Sequence, residues 1–300
     1  MSISKKLWYG FQSLLKKFGL SYFFYQLAML VVPQSNFFCG LFDWLDKRSS
    51  MPAILASKQF FEDNADRVEQ NLSLLADDES RRVYQNLVLY RGSRDRHYVK
   101  PIMSKCTTTY FAEDLIIPRN GECFFDCGGF AGENSIYFQN YLKKRGCEAP
   151  SIIAVEPDPE NYKHLVKSLK KKIKNTVHTF PLGVWNEDAV LKFQDNLNAS
   201  CKVDDAGSAK IKVTTIDHLS AQTGLAVTYI KMDIEGCELQ ALAGAAQTIK
   251  RFHPRLAIAI YHNDGQMLEL IEYIHQNYPD YQLHVRHYSG TYMETVLYCL

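Results

Sequence analysis

The stretch 122–132, ECFFDCGGFAG, constrains the fold more than any other part of this sequence. An apolar run closes on Asp126, the glycines Gly128, Gly129 and Gly132 follow, and Glu-Asn-Ser-Ile-Tyr-Phe then reads as the start of a helix. Strand, glycine turn and helix together make the unit that binds nucleotide-like cofactors in open α/β sheets. A dinucleotide site has Gly-x-Gly-x-x-Gly, which lets a pyrophosphate rest on the helix N-terminus. This chain has D-x-G-x-x-x-G instead. The wider turn, headed by a carboxylate, suits a cofactor with a cationic amino-acid end and no pyrophosphate, and S-adenosylmethionine is such a cofactor. One αβ unit later, SIIAVEPDP (151–159) is a β-branched strand closing on Glu156, with Pro157 and Pro159 breaking the chain behind it. Adjacent parallel strands bring their carboxyl ends side by side, so Glu156 faces the crevice of the glycine turn and can accept both hydroxyls of a ribose.

A chain of 300 residues is long enough for one large core. Its formal charge of +1 gives no reason to expect nucleic acid as a partner. The eight cysteines are scattered, without a C-x-x-C pair or a Cys/His cluster at zinc spacing, and read as reduced thiols of a cytoplasmic protein. The apolar stretch 22–32 lacks a small-residue cleavage site and is shorter than the roughly 20 residues that cross a bilayer.

Residues 1–106 read as a helical extension or cap, and 107–300 as the cofactor-binding domain. Leu7, Phe11, Leu14, Leu15 and Phe18 fall at helical spacing, with Lys5, Lys6, Lys16 and Lys17 on the other faces. Such a helix can dock on the body of the protein, pair with a second copy, or lie peripherally on an anionic membrane. Two further helices are expected over 59–75 and 77–90. Strands and helices then alternate: helices at 133–144, 160–173, 238–251 and 266–277, strands at 177–180, 227–232 and 256–261, a hairpin at 185–193, and a polar loop at 195–208. Two last strands, 282–288 and 294–299, should pair antiparallel across a Ser-Gly turn. The lysines at 167, 170, 171, 172 and 174 suit the C-terminal end of their helix and read as a solvated face.

From Tyr110 to Leu300 the chain resembles the FkbM-type family of S-adenosylmethionine-dependent methyltransferases. The resemblance is carried, in order, by FFDCGGFAGENS, IIAVEPDPENYKHL, PLGVWNED, TTIDHL, YIKMDIEGCELQALAGA, LAIAIYHN and VRHYSGTYMETVLY. It departs at Gly129, where the family more often has alanine, and near Ala131, where it more often has a polar residue. The resemblance implies an α/β, doubly wound, seven-stranded Rossmann-like sheet of order 3-2-1-4-5-7-6, with the cofactor across the ends of strands 1 and 2. It implies that Asp126 meets the cofactor's ammonium, that the backbone from Gly128 through Gly129 to Gly132 allows close approach, and that Glu156, followed by Pro157, holds the ribose. Val184 and Trp185 would flank the adenine, and Asp233 would border the methyl group. The upstream segment ADDESRRVYQNLVLYR also looks like relatives found with polysaccharide biosynthesis proteins, which points to a sugar hydroxyl as acceptor.

A sulfonium methyl is already activated, so catalysis needs alignment of the acceptor and somewhere for its proton to go. Candidates lie at strand ends facing the methyl: Lys231, Asp233 and Glu235, then His262, and Arg286 with His287 in the last hairpin. His262 as base with Asp233 as orienter is the expected pair, and His287 is the competitor. A divalent metal on Asp233, Glu235 and His262 would do the same work, although their spacing matches no metal motif. Two other classes stay open. One is a silent relative serving as a scaffold in polysaccharide assembly, against which the intact Asp126, Gly128, Gly132 and Glu156 argue. The other is a nicotinamide-dependent oxidoreductase, whose fingerprint glycine is replaced by Asp126.

Overall fold

A computed structural model describes residues 51–104, 108–193 and 209–300. The expectations for the helix at 7–20, the apolar stretch 22–32 and the loop 195–208 fall mainly or wholly outside the described residues. The chain forms two compact units: one runs to Thr107 and includes Val285–Thr295, and the other comprises Thr108–His284 and Val296–Leu300. The last hairpin, expected to belong wholly to the cofactor domain, is thus shared between them.

In the first unit, helices α1 (Met51–Asp63), α2 (Ala65–Leu74), α3 (Asp78–Ser93) and the short α4 (Arg96–Val99) are packed around Val83, Tyr84, Leu87 and Tyr90, all buried. The single helix expected over 59–75 is broken at Asn64, whose side chain donates to the Phe60 carbonyl and accepts from Arg67, and helix α1 starts earlier, at Met51. Asp77 caps α3 by accepting from the Ser80 amide at 2.6 Å. The same Asp77 and Ser80 hold Arg286, with Asp77 Oδ2 at 2.9 Å and Ser80 Oγ at 2.9 Å. No helix among the described residues is long and apolar enough to cross a membrane.

In the second unit, β1 (Cys123–Cys127), β2 (Ser151–Val155), β3 (Val177–Phe180), β7 (Tyr229–Met232) and β8 (Arg255–Ala259) run parallel. With β9 (Leu283–His287) and β10 (Thr295–Cys299) they form one sheet of order β3-β2-β1-β7-β8-β10-β9. Counted along this sheet alone, that is the expected 3-2-1-4-5-7-6. Strands β1, β7 and β8 are buried along their whole length, as parallel strands covered on both faces must be, which is why they read as continuous apolar runs. Between them lie helices α5 (Glu133–Lys144), α6 (Pro159–Lys172), α7 (Ile216–Thr223), α8 (Glu238–Ala243), α9 (Ala246–Phe252) and α10 (Asp264–Asn277). The rings of Phe111, Phe124, Phe138 and Tyr229 form the aromatic centre of the core, with Phe111 and Phe138 stacked at 5.3 Å. Gln282 and Leu300 exchange amide bonds of 2.8 and 3.0 Å, the antiparallel signature at the hairpin's open end.

Two local expectations are corrected. The hairpin at 185–193 does not form: β4 (Gly183–Val184) and β5 (Ala189–Phe193) both pair with β6 (Ala209–Thr214), in the order β4-β6-β5. A strand arriving from beyond the polar loop takes the place that local sequence had assigned to a turn. The helix expected at 238–251 is two helices, Glu238–Ala243 and Ala246–Phe252, and Gly244 between them passes so close to a neighbouring backbone that no side chain fits. An added Cβ would lie 2.0 Å from the Trp185 carbonyl oxygen.

Candidate active site

The carboxyl ends of β2, β1, β7 and β8 lie next to one another, and each delivers an ionisable group: Glu156, Asp126, Asp233 and His262. The turn after β1 is held by both neighbours. The amides of Gly128 and Gly129 donate to the Val155 carbonyl at 3.1 and 2.8 Å, and the Asp233 amide donates to the Cys127 carbonyl at 3.2 Å. Gly128 has φ +79°, and an added Cβ there would sit 2.0 Å from the Asp233 carbonyl oxygen, so no other residue fits this crossing. Gly129 and Gly132 instead let the turn close on Leu165 and Leu169 of α6, within 3.0 to 3.3 Å of an added Cβ.

Asp126 is fully buried; it accepts from Ser135 Oγ at 2.7 Å and lies 3.3 Å from Lys231 Nζ. Lys231, 1% exposed, also donates to the carbonyls of Cys127 and Gly128 at 3.1 and 2.7 Å. Burial alone would lower the ammonium's pKa, but the carboxylates of Asp126 and Asp233 outweigh it and the pKa is raised. Lys231 is therefore a permanent cation that pins the glycine turn rather than a proton acceptor. The partner of Asp126 inside the protein is this ammonium, although Asp126 Oδ1 makes no aligned hydrogen bond of its own.

Glu156 is equally preorganised. Its Oε2 accepts from the Phe130 amide and its Oε1 from the Asp158 amide, both at 2.9 Å. Burial raises its pKa while these two amides pull it down. Each carboxylate oxygen keeps a second lone pair, so the group remains able to hold a diol. Val184 is buried in β4, and the Trp185 amide is tied to the Thr214 carbonyl at 2.8 Å.

Past β7 and β8 the charges crowd. His262, its side chain 3% exposed, has Nε2 at 3.2 Å from Asp233 Oδ1 and 3.3 Å from Glu238 Oε1, and Nδ1 at 3.7 Å from Glu235 Oε2. Nε2 is within ion-pair reach of two carboxylates yet aligned with neither. Burial lowers the pKa of this imidazole, but Asp233 and Glu238 prevail and lift it to about 10. The two carboxylates thus favour the charged imidazolium over the neutral form that a general base at this position needs. Burial opposes ionisation of Asp233, but the adjacent His262 ring, 3.2 Å away, and the charge of Lys231 hold its carboxyl well below the usual range. The Tyr261 hydroxyl donates to Asp233 at 3.0 Å. Among the described residues no three His, Cys, Asp or Glu side chains are grouped to hold a metal ion; Asp233, Glu235 and His262 meet as ion pairs.

His287 and Arg286 belong to the first unit. His287 is fully buried with Nδ1 2.9 Å from Thr295 Oγ1, and burial pushes its pKa down to about 4. The sequence reading missed Glu238, whose fully buried carboxylate receives the Ile234 amide at 3.0 Å and the Gln266 amide group at 2.5 Å. A glutamate opening a helix has an ordinary explanation in the helix dipole, so nothing in the sequence marks it. The cysteine reading is also corrected: Cys123, Cys127, Cys147 and Cys299 are free, but Cys237, next to Glu238, is disulfide-bonded.

Residues 126–283 match a family model described as the methyltransferase FkbM domain. Among solved structures, the chain is similar to the methyltransferase FkbM from Methylobacillus flagellatus KT, with 26% identity and a TM-score of 0.70 over 81% of this chain and 60% of that one. It thus spans less than two thirds of that relative's length. A far weaker likeness joins it to precorrin-6y C5,15-methyltransferase from Geobacter metallireducens GS-15, with 11% identity, a TM-score of 0.37, and 61% and 79% of the two chains covered. Another joins it to Aeropyrum pernix fibrillarin, which was crystallised with natively bound S-adenosyl-L-methionine, with 10% identity, a TM-score of 0.38, and 62% and 70% covered. No curated protein matches the chain.

Proposed function

The chain belongs to the FkbM family of S-adenosylmethionine-dependent methyltransferases, and on that premise we propose that it methylates a hydroxyl group, with a sugar hydroxyl of a glycan as the acceptor. The observation that carries the reading is the row of Glu156, Asp126, Asp233 and His262 along the carboxyl ends of four adjacent strands. Glu156 fits a ribose, being fixed by two amides with lone pairs to spare, and the fixed backbone from Gly128 to Gly132 forms the adjoining wall. When bound, S-adenosylmethionine supplies a methyl group already activated by its sulfonium.

The chain's own residues then position the acceptor and receive its proton. Asp233, its side chain 26% exposed and held ionised, accepts a hydrogen bond from the reacting hydroxyl. An oxygen that is gaining a methyl group becomes strongly acidic, so a carboxylate of depressed pKa is basic enough to take the proton. His262 fixes the orientation of Asp233 and balances its charge, and Glu238 fixes His262 in turn.

Calorimetry tests the cofactor half: S-adenosylmethionine and S-adenosylhomocysteine should bind, and NAD should not. Glu156→Gln keeps an acceptor for one of the backbone amides and should weaken cofactor binding by roughly 1.5–3 kcal/mol. Unchanged affinity in that variant would remove Glu156 from the site.

A further inference from the structure

We propose that the rim below the starts of β1, β2 and β3 is a membrane-docking face, which holds the protein peripherally on a bilayer rich in anionic phospholipid through lysines and one exposed isoleucine. This goes beyond the methyltransferase reading and does not rest on it. The first observation is how the fold gathers charge. The crossover helices α5 and α6 both run from the carboxyl end of the sheet to its amino end, so their last turns arrive at the same rim. There α5 brings Lys143 and Lys144, and α6 brings Lys170, Lys171 and Lys172, with Lys167 one turn earlier and Lys174 just beyond the helix. Gln139 of α5 donates to the Lys172 carbonyl at 3.0 Å, and Asn175 donates to the Ala149 carbonyl at 2.6 Å, which ties the two ends together. Taken one helix at a time these lysines are a solvated face. Assembled, they are one basic patch.

The second observation is that the patch is not neutralised. All seven lysines are exposed, and none of their ammonium groups forms an ion pair with a described carboxylate. The carboxylates on this rim are Glu113, Asp114 and Glu148; Glu113 is held by Arg145 at 3.4 Å, and Arg119 adds a further cation. Nearer the other end of α6, by contrast, Lys163 is paired with Glu160 at 2.6 Å. The whole chain has a formal charge of only +1, so positive charge is concentrated at this rim rather than spread over the surface. The helix dipole accounts for cations in a last turn, but not for Lys167 or Lys174.

The third observation is Ile117. It is 75% exposed, more than any other large exposed apolar side chain among the described residues. The loop that carries it is fixed beside the patch: Tyr141 of α5 donates to the Ile116 carbonyl at 2.8 Å, and the Glu148 amide donates to Asn120 Oδ1 at 3.0 Å. An isoleucine held in water next to a field of lysines supplies the two signals of a peripheral membrane contact, apolar insertion and attraction to anionic headgroups. Nucleic acid fits less well. Lysines are point charges without the arginine fork, and no aromatic side chain of these segments is exposed to stack on a base. Docked in this way, the carboxyl ends of the strands, with Asp126 and Glu156, face away from the bilayer.

The test uses the full chain in sedimentation with vesicles of phosphatidylcholine, alone or with roughly one third phosphatidylserine, at about 0.1 M and about 0.5 M salt. The wild type should bind the phosphatidylserine vesicles at low salt, leave them at high salt, and ignore phosphatidylcholine. Lys170→Gln, Lys171→Gln and Lys172→Gln made together remove three contacts, each worth roughly fivefold, and should lower partitioning by roughly 100-fold. Ile117→Ser should lower it by roughly 5- to 10-fold without changing its salt dependence. The same charge removed from β5 and β6, by Lys192→Gln, Lys210→Gln and Lys212→Gln, should leave partitioning within about twofold. Glutamine keeps helix propensity, and the Tm of each variant shows that it is folded. A wild type that binds neither vesicle, or both alike, overturns the proposal. So does a variant at Lys170, Lys171 and Lys172 that binds like the wild type, which would pass the contact to residues 5–17, or an equal loss from the β5 and β6 variant. Binding to polyuridylate RNA at the same salt, with none to vesicles, overturns it in favour of nucleic acid.

Discussion

The two ends of the same sheet handle buried charge in opposite ways. At the amino-terminal end, Glu122 and Arg255 form a buried ion pair, 3% and 7% exposed. Glu122 also accepts from Thr228 Oγ1 and from the Arg119 amide, Arg255 donates to the Ile117 carbonyl at 2.8 Å, and Thr228 Oγ1 receives the Cys123 amide at 2.9 Å. Both Glu122 oxygens are engaged, Arg255 Nε is left without a hydrogen bond, and the knot ties the starts of β1 and β8. At the carboxyl end, Asp126 Oδ1 and His262 Nε2 have charged neighbours but no aligned hydrogen bond, the non-glycine residues Phe130 and Glu235 sit at positive φ, and two carboxylates reach solvent. A network in which both carboxylate oxygens and two guanidinium nitrogens are engaged belongs to stability. An open and strained one stays able to bind.

Breaking each end separately should give different phenotypes. The largest effect is expected from Asp233→Asn, which keeps the shape but removes the charge: the rate per folded molecule should fall by about 10²- to 10⁴-fold in initial-rate assays, with a lower urea midpoint because His262 and Lys231 lose one ion-pair partner. A near-normal rate would move the proton acceptor elsewhere. Glu122→Ala should do the reverse, leaving Arg255 buried without its partner and lowering stability by about 3–5 kcal/mol in urea titrations, with the rate per folded molecule unchanged.

The two ends should also separate by pH. His262 has a folded pKa raised from 6.5 to about 10, so its stabilising ion pairs are fully present below 6.5 and are lost as pH rises through about 10. Titration of its imidazole by NMR should find that high value, and His262→Gln should abolish the alkaline loss of stability. An imidazole titrating between pH 6 and 7 would restore the general-base reading of His262. The smallest effect belongs to Thr228→Val, which deletes one hydroxyl from the closed network and should cost about 1 kcal/mol without touching turnover.

Much of the site was legible because strand ends are legible. A buried apolar run that stops at an acid or a histidine tells where a parallel strand delivers a side chain, and Asp126, Glu156, Asp233 and His262 were all found that way. Their charge states were not. His262 looks like an ordinary histidine until Glu238, from a helix 24 residues earlier, is placed 3.3 Å from it. Lys231 looks like a catalytic amine until the carbonyls of the glycine turn, more than a hundred residues earlier, close around it. The three-stranded sheet was missed for a similar reason: β6 enters between β4 and β5 from beyond a long polar segment, and local patterning carries no information on such a partner.

The sequence by itself determined the class of fold and the residues at the strands' carboxyl ends, because burial periodicity and glycine placement are local and each is written in a few consecutive residues; the order of strands came with the resemblance to the family. Only the tertiary structure decided which charge meets which: Lys231 with Asp126, His262 with Asp233 and Glu238, and Glu122 with Arg255. Electrostatic energy depends on separations of a few ångströms between groups on different strands and on how little water lies between them, and both are properties of the assembled sheet.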